Sequence, residues 1–171
     1  FDSASYMLYA KHGRYITDDR TVHLSKITNF SCLCEVCSKF KPRELEVLNE
    51  DEKINNIALH NLFSIKSEVD RVKEAIYDGR LWEYVLKKMR SHPKLFEAQD
   101  VFVQNSSFFL PSTPKFKESA IFLFSKEDQF RPEILAFHEI VRKFKSKKKT
   151  IALTGESIQR PFYLSKEYED L

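Results

Sequence analysis

Glycine is scarce in this chain, with 3 in 171 residues. Phosphate-cradling loops need several glycines close together, and neither GxGxxG nor GxxxxGK[ST] occurs. Gly-rich phosphate loops are therefore not expected. No apolar run approaches the roughly 18 residues of a membrane span, and nothing resembles a signal peptide. Charge of one sign is also lacking: 28 basic against 25 acidic residues leave a net +3, a balance that neither demands nor excludes nucleic acid. Asn29-Phe30-Ser31 and Asn105-Ser106-Ser107 match the glycosylation tripeptide, which carries no weight without a secretory signal. The chain opens on Phe1, which reads as a piece of a longer polypeptide.

What is present is a hydrophobic fraction of 42% beside 31% charged residues, enough to bury a core. Residues 1–30 read as strands: apolar Ser5-Tyr6-Met7-Leu8-Tyr9-Ala10, a turn at Gly13, then short segments from Arg14 to Thr17 and Thr21 to Ser25. Residues 41–90 read as helices. One buries Ile54, Ile57, Ala58 and Leu62; a second, capped by Ser67, buries Val69, Val72 and Ile76 and ends at Gly79. A third carries Leu81, Trp82, Val85, Leu86 and Met89 and stops before Pro93. Asn105 to Pro114 looks like a linker. Beyond it, Ala120–Phe124 and Thr150–Leu153 read as strands around a helix that starts at Pro132 and buries Ile134, Leu135, Ile140, Val141 and Phe144. A right-handed βαβ unit is the natural assembly.

All three cysteines fall between positions 32 and 37, as Cys32-x-Cys34-x-x-Cys37. The spacing is too tight for an ordinary disulfide framework and leaves one thiol over. A thiophilic metal resolves both difficulties, and Cys₃His is a standard structural zinc set. An iron–sulfur cluster usually takes a fourth cysteine, which is absent. The fourth ligand is then a histidine. His60, on the first helix, is preferred to His23, in the strand region, because a helical ligand packed over a cysteine knuckle is a common arrangement. Arg142, Lys143, Lys145, Lys147, Lys148 and Lys149 form a basic run that suits either phosphate binding or the solvated end of a helix.

Cys-x-Cys-x-x-Cys, 22 intervening residues and a histidine resemble the zinc signature of the tRNA-guanine transglycosylases. Phe1-Asp2-Ser3-Ala4-Ser5-Tyr6 resembles that family's catalytic aspartate segment, and Ala58-Leu59-His60-Asn61-Leu62 its zinc histidine segment. Arg71-x-x-x-Ala75-Ile76-Tyr77-x-Gly79-Arg80-Leu81-Trp82-Glu83 is similar to the helix pair that follows in the archaeal branch.

The resemblance implies an α/β fold: the last part of a (β/α)₈ TIM barrel with an inserted zinc-binding subdomain over residues 1–98. A linker at 99–114 and the start of a small α/β domain at 115–171 would follow. Asp2 would sit at the barrel's C-terminal mouth, where catalytic residues of this fold gather. The implied reaction exchanges a D-loop guanine of tRNA, at position 15, for 7-cyano-7-deazaguanine in archaeosine synthesis. Asp2 would be the nucleophile, and Zn²⁺, one per chain, would be structural. The implied partners are tRNA, the barrel half outside this sequence and a second subunit, in the cytoplasm and without a membrane. A non-catalytic, zinc-containing tRNA-binding or partner subunit of the same fold is the alternative. A stand-alone zinc module fits the long helical continuation poorly.

Overall fold

The structure, a computed structural model, describes residues 4–113, 121, 123–143 and 145. Helix α1 (Ser5–Lys11) leads into an antiparallel pair, β1 (Arg14–Ile16) and β2 (Thr21–His23), with Tyr15 opposite Val22. Two short helices follow, α2 (Glu35–Lys39) and α3 (Pro42–Glu46). The long α4 (Glu50–Tyr77), then α5 (Leu81–Met89), α6 (Pro93–Gln104) and α7 (Pro132–Lys143) complete the described elements. The described residues are therefore mainly helical, with one two-stranded sheet among them.

Ser5–Ala10, expected as a strand, is helical. A short apolar run fits either period, and tertiary packing decides: α1 lies on α4 and buries Ala10. Gly13 then adopts φ 62°, the left-handed turn that glycine accepts freely, and its carbonyl accepts the Leu24 N–H at 2.9 Å.

The two helices expected between residues 54 and 79 are one. No Gly or Pro interrupts Glu50–Tyr77, so Ser67 is an interior residue and caps nothing. The cap lies upstream, where Asn49 Oδ1 accepts the Glu52 N–H at 3.0 Å beneath an acidic first turn. At the far end Gly79 takes φ 64°, the Gly79 N–H bonds the Ile76 carbonyl, and the Arg80 N–H bonds that of Ala75. This is a Schellman closure, as its sequence suggested. The buried stripe differs from expectation. Ile57, Ala58, His60, Asn61 and Ala75 are buried, whereas Leu62 and Ile76 are exposed.

The main core gathers Ala10, Tyr15, Leu24, Val36, Leu45, Ile57 and Ala58, with Cys34 and Cys37 packed against it. The cysteine cluster thus borders the best-packed region of the chain.

Towards the C-terminus, α6 runs across residue 98, and a 3₁₀ turn occupies Ser106–Ser112 within the stretch expected as a linker. Of the strand expected at 120–124, the described residues Ile121, Leu123 and Phe124 are not in a strand. Pro132 does open α7, but Ile140 and Val141 are exposed. Phe144 and the strand expected at 150–153 lie outside the described residues. The segment before α7 is anchored on α5. Asp128 accepts the Trp82 indole N–H at 3.0 Å and the backbone N–H groups of Phe124 and Ser125. The fully buried Arg131 pairs with Glu83 at 2.7 Å and Glu133 at 3.4 Å.

Candidate metal centre

Cys32 precedes the short helix α2, Cys34 is its N-cap and Cys37 lies one turn in. That turn brings the last two sulfurs to 3.5 Å of each other. Leu33, between the first two, points outward and is 92% exposed. His60 enters from α4, and its Nδ1 stands 3.4 Å from Cys34 Sγ and 3.3 Å from Cys37 Sγ. The ligand atoms of Cys32, Cys34, Cys37 and His60 all lie within 4.8 Å of one another. Tetrahedral zinc with sulfur at about 2.3 Å and nitrogen at about 2.0 Å sets its sulfurs about 3.8 Å apart and nitrogen about 3.5 Å from sulfur. The four donors fit a zinc-sized ion in composition and spacing.

The imidazole is held by its other edge. Nε2 donates to the Ile16 carbonyl at 2.8 Å, which turns Nδ1 towards the sulfurs. Ser64 Oγ lies 3.1 Å from the same Nε2. The Tyr15 ring stacks on His60 with centroids 3.6 Å apart and planes 10° from parallel, and Phe30 stacks on the far side of Tyr15. The Tyr15 hydroxyl reaches Cys37 Sγ at 2.8 Å. Next along α4, Asn61 is fully buried. Its Oδ1 accepts the Ile16 N–H, and its Nδ2 donates to the carbonyls of Tyr6 and Arg14. Consecutive residues of α4 therefore grip both backbone polar groups of Ile16.

Electrostatics favour a cation here. Burial, and then the neighbouring sulfurs, push the Cys37 thiol well above its ordinary value, against the Tyr15 hydrogen bond that lowers it. Burial likewise raises Cys32. Burial lowers His60, so the imidazole stays neutral with an open lone pair. Three thiolates side by side become tolerable only with a divalent cation between them.

The structure thus selects among the histidines. His23 turns its Nδ1 to Ser25 Oγ at 2.7 Å and leans against Gly13. His92 Nδ1 accepts the Lys94 N–H at the start of α6, and His138 sits on α7. Asp2 lies outside the described residues, as do Lys147, Lys148 and Lys149. Arg142 and Lys143 occupy the exposed last turn of α7, with Lys145 exposed just beyond. Tyr15, Asn61 and Ser64 were missed as supports of the centre. Asn61 carried a signal: it, not Leu62, continues the Ile54–Ile57 stripe, and a polar residue on a buried face needs partners. Tyr15 carried none beyond its place in a short strand.

A sequence profile described as queuine tRNA-ribosyltransferase matches residues 1–94. The chain is 40% identical over 166 residues to the tRNA-guanine(15) transglycosylase of Methanocaldococcus jannaschii, covering 95% of this chain and 25% of that protein. The corresponding proteins of Methanococcus vannielii and Thermococcus onnurineus are 39% and 40% identical, again over 95% of this chain and over 25% and 27% of their own. The chain spans about a quarter of the length of these relatives. With the profile covering more than half of its residues, the chain belongs to the queuine tRNA-ribosyltransferase family.

Proposed function

We propose that this chain supplies the zinc-bearing, C-terminal part of the catalytic barrel of a tRNA-guanine transglycosylase, together with the start of a further α/β region from about residue 115. The observation that carries the reading is the convergence of Cys32, Cys34, Cys37 and His60 in a chain whose residues 1–94 match the family. Exposed apolar side chains on α1 (Leu8, Tyr9) and α4 (Leu59, Leu62, Phe63) support it, since they suit packing against the rest of a barrel.

Cys32, Cys34, Cys37 and His60 would hold Zn²⁺, which would supply a structural cross-link. Ile16, Tyr15 and Ser64 orient His60, and Asn61 fixes the strand that carries Tyr15. The carboxylate of Asp2 attacks the ribose C1′ of the target nucleotide. The C1′–N9 bond to guanine breaks as the aspartyl–ribose ester forms, and the departing N9 takes a proton from a second carboxylic acid outside these 171 residues. The incoming base, 7-cyano-7-deazaguanine, gives up its N9 proton to that second carboxylate and its N9 displaces the Asp2 carboxylate from C1′, restoring both groups. The target is guanine 15, the position that the names of the relatives carry, and the product leads to archaeosine. Arg142, Lys143 and Lys145, with Lys147, Lys148 and Lys149, hold tRNA phosphates. The enzyme works in the cytoplasm as a homodimer.

The test is base exchange by the complete polypeptide containing this chain. Asp2→Asn abolishes incorporation of labelled guanine into tRNA while zinc content stays at one per chain. Exchange that survives Asp2→Asn removes Asp2 from the mechanism. An unsubstituted protein that binds tRNA and zinc yet exchanges nothing points to the non-catalytic subunit.

A further inference from the structure

The four donors, loaded with a divalent ion, carry a net charge of −1: three thiolates against two positive charges, with neutral imidazole. That charge lies beside the main core, with His60 only 1% exposed, so it needs donors to the sulfurs. Two reach them among the described residues. The Cys34 N–H points to Cys32 Sγ at 3.3 Å, and the Tyr15 hydroxyl lies 2.8 Å from Cys37 Sγ. Tyr15 is itself 3% exposed and cannot turn to water, and its ring is clamped between Phe30 and His60. Its hydroxyl hydrogen therefore has one evident destination, the sulfur. The same side chain fixes the plane of the imidazole through its face and the charge on a thiolate through its hydroxyl.

We propose that Tyr15 is a positioning residue of the metal centre, whose hydroxyl donates to the Cys37 thiolate and slows release of the ion. The proposal rests on the zinc reading above. A donor to a metal-bound thiolate withdraws electron density from sulfur, making it less prone to protonation and to attack. Outer partners of this kind typically carry about 10- to 100-fold in metal affinity.

Tyr15→Phe keeps the ring stack and removes only the hydroxyl. In the holoprotein, zinc release to an excess of a chromogenic chelator is expected to quicken about 10-fold. In the cobalt(II)-substituted protein, the sulfur-to-metal charge-transfer band moves to lower energy. Uniform 3-fluorotyrosine labelling of the unsubstituted chain makes the phenol a stronger donor and moves the band the opposite way, a readout that survives poor folding of the Phe variant. A cobalt band indifferent to both changes, with zinc release unchanged in Tyr15→Phe, overturns the proposal and leaves the metal reading standing. A wild-type chain that takes up neither zinc nor cobalt overturns both.

Discussion

Asn61 Oδ1 accepts the Ile16 N–H at 2.8 Å, 45 positions away in sequence. With its two Nδ2 donations, this fully buried amide ties α4 to both β1 and α1. Asn61→Ala strands three backbone groups. At about 1 kcal/mol per hydrogen bond, the expected loss is about 3 kcal/mol in urea unfolding of the metal-loaded protein. Asn61→Asp keeps the acceptor but turns a buried carboxylate onto the Tyr6 and Arg14 carbonyls, so it is expected to cost at least as much as alanine.

Histidine variants separate the candidate ligand from its competitor. His60→Ala is expected to lose stoichiometric zinc by elemental analysis, whereas His23→Ala, which disturbs the contacts with Ser25 and Gly13 away from the sulfurs, retains it. Equal zinc content in the two variants contradicts the assignment.

Metal removal exposes thiols. The holoprotein is expected to react slowly with a disulfide reagent at neutral pH, and chelation releases all three cysteines of the chain to rapid titration. Far-ultraviolet circular dichroism falls only modestly, because α4 is capped at both ends by its own residues. Prompt titration of all three thiols before chelation argues against a bound ion.

Asp128 predicts a dependence on acid. Burial raises its pKa, but the N–H groups of Phe124 and Ser125, the Trp82 indole and Arg131 together outweigh burial and hold it below the ordinary carboxyl value. A depressed folded pKa contributes stability above the unfolded value, about 3.9, and that contribution is lost as pH falls through the folded value. Trp82, the only tryptophan in the chain, reports the transition by fluorescence. Asp128→Asn should weaken the α5 junction by about 1–3 kcal/mol at pH 7 and flatten its loss of stability below about pH 4. A variant with the wild-type acid profile rules out Asp128 as the source.

Arg131 is fully buried between Glu83 and Glu133. Arg131→Met leaves two carboxylates facing each other and is expected to cost about 3–5 kcal/mol by urea unfolding. Adding Glu83→Gln and Glu133→Gln should recover much of that. No recovery means that packing, not charge, dominates the site.

The centre was legible from the sequence because its chemistry is local. Cysteines spaced two and three apart fall around one short helix, and only a thiophilic metal makes sense of three such thiols. The β1–β2 pair, the Gly79 closure and the start of α7 at Pro132 were legible for the same reason, since each rests on the backbone preferences of a few adjacent residues. The apolar run Ser5–Ala10 could not be assigned this way. Strand and helix both accommodate so short a run, and contact with α4 decided between them.

The sequence by itself determined the donor types, their spacing and the family. Tertiary structure alone decided that Tyr15 and Asn61 support His60, the ligand the sequence had already favoured, and that Arg131 fastens the later segment to α5. Those choices depend on which side chains meet across 20 to 50 residues of chain, where burial must satisfy every polar group at once, and no local pattern records that.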